Sequence, residues 1–80
     1  MKSYEERIKE NLRNEILTCG KSKTQIAREL SISKPTLSQY LSGRIMPSLA
    51  TFGRLCEVID CSADDILFDK KQKMSKNSEN

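Results

Sequence analysis

Serines at positions 3, 22, 33, 48 and 62 each stand just before a run of apolar residues at helical spacing. A serine hydroxyl at a helix N-cap accepts a first-turn N–H that has no intrahelical acceptor, and so marks where a helix begins. Five such starts in 80 residues leave only short helices joined by short turns. No alternating β-branched run and no Asn-Gly hairpin turn competes with that reading. The expected class is all-α, a compact domain of five helices.

The spacing fills in each segment. Ser3 precedes Tyr4, Ile8, Leu12 and Ile16, an i, i+4 stripe on a helix of about 15 residues, with Gly20 as its stop. Glu6, three residues after Ser3, predicts a capping box, and Gln25 predicts a second one after Ser22. The helix that Ser22 opens turns Ile26, Ala27 and Leu30 inward. Ser31-Ile32-Ser33 is a turn, Leu37, Tyr40 and Leu41 are the inner side of a third helix, and Gly43 closes it. Ser48 caps a fourth helix with Leu49, Phe52, Leu55, Cys56 and Ile59 inward. Ser62 caps a short fifth, with Ala63, Ile66 and Leu67 inward, and Asp64 and Asp65 favour the positive end of its dipole. The domain spans 1–69. Residues 70–80, with one apolar side chain, read as a disordered basic tail.

The third helix holds a proline. Pro35 lacks an N–H, which costs little in a first turn, so Lys34-Pro35 reads as a start rather than a break. The residue before a proline avoids the α region, which argues for Lys34 as the cap; the hydroxyl preference argues for Ser33. With the inner residues removed, the outer side of 34–42 is Lys34, Pro35, Thr36, Ser38, Gln39 and Ser42. Serine and threonine weaken a helix that merely faces solvent. They do allow close approach to another surface, where glutamine can grip adenine and lysine can donate to guanine.

Charge is distributed unevenly. Residues 21–44 hold Lys21, Lys23, Arg28, Lys34 and Arg44 against Glu29 alone, whereas 57–69 hold five acids and no base. A solvated face would produce such a run too, so charge alone does not assign a surface. Helix 22–30, a three-residue turn and helix 34–42 form the helix-turn-helix pattern, in which the second helix enters the major groove and the first crosses the backbone. In that arrangement Lys21 and Lys23 flank a helix N-terminus that faces phosphate, and Arg44 lies just past the other end of the groove helix.

At KTQIARELSISKPTLSQYLSGRIMPSLATFGRLCEVIDCSADDIL the chain resembles the Cro/C1-type (XRE-like) helix-turn-helix domain, across residues 8–68. Ile26-Ala27 is similar to the family's Leu-Ala pair, Leu37 and Tyr40 to its buried recognition-helix positions, and Gly43, Pro47 and Ser48 to its Gly…Pro-Ser linker. The resemblance implies a five-helix, lambda-repressor-like DNA-binding domain. It implies base contacts from Ser33, Lys34, Pro35, Ser38 and Gln39, and phosphate contacts near Ser22, Lys23, Ser42 and Arg44; Thr36, on the outer side of the helix, joins the expected base-contacting set, and Lys21 and Thr24, at the start of helix 22–30, join the expected phosphate-contacting set. The chain departs from the family at Ser31, where glycine is frequent and either a left-handed serine or a slightly different turn is expected. It departs also at Lys23 in place of glutamine, at Leu41 in place of glutamate, and at Pro35, which can make only apolar contacts.

The expected function is a regulator that binds double-stranded DNA as a homodimer on an inverted repeat. The alternative is a protein-interaction module that uses Leu41, Ile45, Met46 and Phe68 as an apolar patch. Enzyme chemistry finds no support: there is no histidine, no glycine-rich phosphate loop, and no calcium-loop glycine among Asp60, Asp64, Asp65 and Asp69. Cys19, Cys56 and Cys61 are an odd count with too few partners for zinc, and read as small core residues. No cofactor, metal or small-molecule ligand is expected. The start MKSYEERIKEN carries no apolar stretch of a signal peptide and no run suggests a membrane span, so the expected location is the cytoplasm.

Overall fold

The computed structural model describes residues 2–68; the expected tail at 70–80 lies outside them. Five helices follow in order: α1 (Tyr4–Thr18), α2 (Lys23–Leu30), α3 (Lys34–Ser42), α4 (Leu49–Ile59) and α5 (Ala63–Leu67). Each has the expected serine at its N-cap, with extended backbone and a hydroxyl that accepts a first-turn N–H. Ser33, not Lys34, caps α3, and Pro35 takes the second helical position, where its missing N–H is still harmless. The Ser3–Glu6 capping box forms in both directions. The one expected at Ser22 forms only by half. Ser22 Oγ accepts from Gln25 N at 3.1 Å, but the Gln25 amide turns to the Glu29 carboxylate at 2.9 Å, a charged and therefore stronger acceptor.

Three helices end alike. Ser31, Gly43 and Asp60 all adopt the left-handed region, at φ 59, 81 and 59. After each, the next N–H reaches back five residues: Ile32 N to Ala27 O, Arg44 N to Gln39 O, and Cys61 N to Cys56 O, all at 3.0 Å. This closure satisfies carbonyls that the helix end would leave bare. Of the two alternatives at 31, the left-handed serine is the one that forms. Asp60 in the same role carries no sequence mark.

α1 packs on α3 and α5, α2 on α3 and α4. Leu12, Ile16, Ile26, Leu37, Leu55 and Ile66, at least one from each helix, are fully buried at the centre. Each removes an aliphatic side chain from water, a gain of about 1.5–3 kcal/mol. The Asn11 amide donates to the Ile66 carbonyl at 3.1 Å and ties α5 to α1. Two apolar residues expected inward are not: Tyr4 is 52% exposed and Leu49 85%. Both stand at the first position of their helix, outside the stretch that neighbouring helices cover. Ile8, Leu41, Ala63 and Leu67 are half-buried against the core.

Cys56 is buried, and Cys61 and Cys19 are half-buried; all three thiols are free. Burial pushes the Cys61 thiol up to about 12 and raises Cys56 as well. Both therefore stay protonated at neutral pH and pack as small apolar groups. No described helix is long and apolar enough to cross a membrane.

Candidate nucleic-acid interface

α3 is anchored from one side and open on the other. Leu37 and Tyr40 are buried, while Lys34, Pro35, Ser38, Gln39 and Ser42 are exposed. On a helix, residues 34, 38 and 42 form one line, and 35 and 39 form the next. Five of the proposed contact residues therefore share one face. Arg44 follows the Gly43 turn at the end of that face and is exposed. Ser22, Lys23 and Thr24 open α2 and are exposed as well. Among the described residues, Lys23, Lys34 and Arg44 have no ion-pair partner.

Several side chains are already engaged. Ser33 Oγ accepts from Thr36 N at 3.2 Å and lies 2.8 Å from Thr36 Oγ1, so both hydroxyls are bound up in the cap; Thr36, expected outward, is half-buried. The Ser42 hydroxyl donates to the Gln39 carbonyl at 3.1 Å. Ser22 Oγ is taken by its cap. Lys21 differs most from expectation. Its ammonium donates to Glu29 Oε1 at 2.8 Å and to the Val58 carbonyl at 2.7 Å, half-buried between α2 and the end of α4. The premise of a free cation at position 21 is lost, because the fold supplies two acceptors the local sequence does not reveal. Glu29 accordingly ionises below the ordinary carboxylate range, first through its bond from Lys21 and then through that from Gln25.

Beside this face lies a groove lined in part by residues outside the expected contact set. A groove of about 750 Å³ runs between α1 and α3, with Lys9, Arg13 and Leu17 on one wall and Ser38, Leu41 and Ser42 on the other. Lys23 borders it from the start of α2. The signal was present: Lys9 and Arg13 are four apart, one position round from the Ile8–Leu12–Ile16 stripe. A charge count confined to 21–44 passes over them. Gly43 leaves room for the Lys9 stem, whose Cδ would stand 3.4 Å from a Cβ at 43.

Among the described residues, no group of His, Cys, Asp and Glu is placed to hold a metal ion. A second cleft, of about 340 Å³, lies between α1 and α5 and carries Glu10, Glu15 and Asp65 on its walls, a poor match for polyanions.

None of the curated proteins and none of the solved structures matches the chain. The helix-turn-helix family model matches residues 12–66, more than half of the chain and all of the α2–turn–α3 unit. That family is a DNA-binding regulator fold and not an enzyme family. By that match the chain belongs to the Cro/C1-type (XRE) helix-turn-helix family of DNA-binding regulators.

Proposed function

We propose that the chain is a sequence-specific regulator that lays α3 in the major groove and binds an inverted repeat as a dimer. The observation that carries this reading is the exposure of Lys34, Pro35, Ser38 and Gln39 on the side of α3 opposite buried Leu37 and Tyr40. Gln39 and Lys34 have free polar ends, so base-edge hydrogen bonds fall to them; Pro35 offers an apolar edge suited to a thymine methyl. Ser38 is short enough to let the helix approach. Ser33 and Thr36 act first as the cap that fixes the angle of α3. Lys23 and Arg44 meet phosphate at the two ends of the unit, supported by Thr24 and by the N–H groups at the start of α2. Lys21 acts through the fold by tying the α2 entry to α4.

A single small module covers only about 600–1,000 Å² of DNA, which favours two copies on two half-sites about one helical turn apart. With DNA as its proposed ligand, the protein would act in the cytoplasm.

Anisotropy titrations over a set of duplex variants test the reading. Gln39→Ala and Lys34→Ala are expected to cost about 1–3 kcal/mol and to relax preference at particular base pairs. Arg44→Ala is expected to weaken all duplexes alike. Equal losses on every sequence for both Gln39→Ala and Lys34→Ala would remove base reading from α3.

A further inference from the structure

We infer that the groove between α1 and α3 seats one strand of the DNA backbone, with Arg13 as a phosphate contact. The inference rests on the proposed placement of α3 and extends it to a helix outside the α2–turn–α3 unit. An α-helix with its side chains is about 10–12 Å across, and the major groove is about 12 Å wide. A helix seated there fills it, so whatever lines the flank of that helix meets sugar and phosphate. The flank of α3 that carries Ser38 and Ser42 is the wall of this groove, and α1 forms the facing wall.

The charge of the groove suits a polyanion. Lys2, Lys9, Arg13 and Lys23 line it against Glu6 and Glu10. Both acids are engaged: Glu6 Oε1 accepts from the Ser3 N–H at 3.0 Å in the capping box, and Glu10 is paired with Lys2. Lys9 leans to Glu5, 3.5 Å away. Arg13 and Lys23 remain, exposed and without a partner among the described residues. Glu10 lies one turn before Arg13 on the same helix, but it is engaged by Lys2, so the charge of Arg13 is not taken up by an ion pair. A strand lying there continues the surface that Gln39 and Pro35 present to the bases. The guanidinium of Arg13 can take a phosphate through two parallel N–H donors.

The test uses the full chain, a preferred duplex and an unrelated one, with anisotropy read over a range of salt concentrations. Arg13→Ala is expected to lose about tenfold in affinity on both duplexes, the scale of a hydrogen bond to a charged group. The slope of log affinity against log salt should fall by about one. Arg13→Lys, which keeps the charge, should retain the slope. Because Arg13 is exposed, its melting temperature serves as the check that each variant is folded. Unchanged affinity and slope for Arg13→Ala, with the wild type still bound to DNA, would overturn this inference alone; so would a loss confined to one sequence. A wild type that binds neither duplex would overturn the proposed function and this contact with it.

Discussion

Ser31 turns the chain from α2 into α3 at φ 59 and ψ 41, and its exposed side chain makes no contact that rewards a serine there. A residue with a Cβ in that region carries about 1–2 kcal/mol of strain, whereas glycine carries none and loses up to about 1 kcal/mol through the freer unfolded chain. The difference favours glycine. Ser31→Gly is expected to raise stability by about 0.5–1 kcal/mol in urea denaturation, with DNA affinity unchanged because the turn already has this shape. Ser31→Val is expected to lower it by about 1–2 kcal/mol, since a β-branched residue is worst in that region. A glycine variant less stable than the wild type would show that Ser31 contributes through contacts rather than tolerating strain. Gly43 holds the same left-handed conformation at φ 81, and a Cβ there would meet the Lys9 stem at 3.4 Å, an ordinary contact, so the backbone alone holds position 43 to glycine.

At the scale of elements, Lys21, Glu29 and Arg54 lace α2 to α4. Lys21 bonds the Glu29 carboxylate and the Val58 carbonyl, and Arg54 Nη2 donates to the Glu29 carbonyl at 3.2 Å. Glu29 ionises below the ordinary value of 4.5, chiefly because of the Lys21 bond. A carboxylate whose folded pKa is depressed adds stability that is present above its ordinary value and lost as pH falls through the folded one. Melting temperature followed from pH 7 to about pH 3 should therefore fall less steeply below pH 4.5 for Glu29→Gln than for the wild type. Parallel curves would show that the pair adds no pH-dependent stability. The effect should also shrink in salt, because the pair is partly exposed. The same pair shows what a sequence can tell. Four of the five serine caps and Gly43 are local, decided within a few residues, and they are legible; at α3 the proline leaves Ser33 and Lys34 both open as the cap, and Ser31 leaves the shape of the turn open. The buried face of α3 follows from spacing alone. Lys21 is not legible, because its acceptor at Val58 is 37 residues away and only packing brings it near. Leu49 and Tyr4 mislead for a related reason: periodicity assigns a face, but it does not say how far along a helix the neighbours extend. The Lys9–Arg13 spacing is visible in the sequence, but that it borders α3 is not, because the α1–α3 groove belongs to neither helix by itself.

Over the whole molecule, the exposed apolar residues after α3 have no role in the DNA contacts. Ile45 and Met46, in the loop after α3, are 40% and 39% exposed, and Leu49 opens α4 at 85%. Gly53, one turn on from Leu49, has open space where a Cβ would stand, so nothing in the fold presses on that side of α4. In the proposed dimer, a two-fold interface pairs a patch with its own copy, and these exposed apolar residues, close in sequence after the recognition helix, are suited to such a contact. Leu49→Gln tests this without altering charge near the DNA. The side chain is already exposed, so the monomer should melt as before. Burying a leucine in an interface is worth about 1.5–3 kcal/mol, so affinity for a full inverted repeat is expected to fall by about tenfold or more, with no change on a single half-site. Sedimentation at matching concentrations should show the dimer dissociating over the same range. If Leu49→Gln binds both duplexes as tightly as the wild type, two copies either meet through another face or bind their half-sites independently. The cooperativity of the full-site titration then separates those two cases: a steep curve keeps the dimer and moves its interface, whereas a simple one removes the dimer.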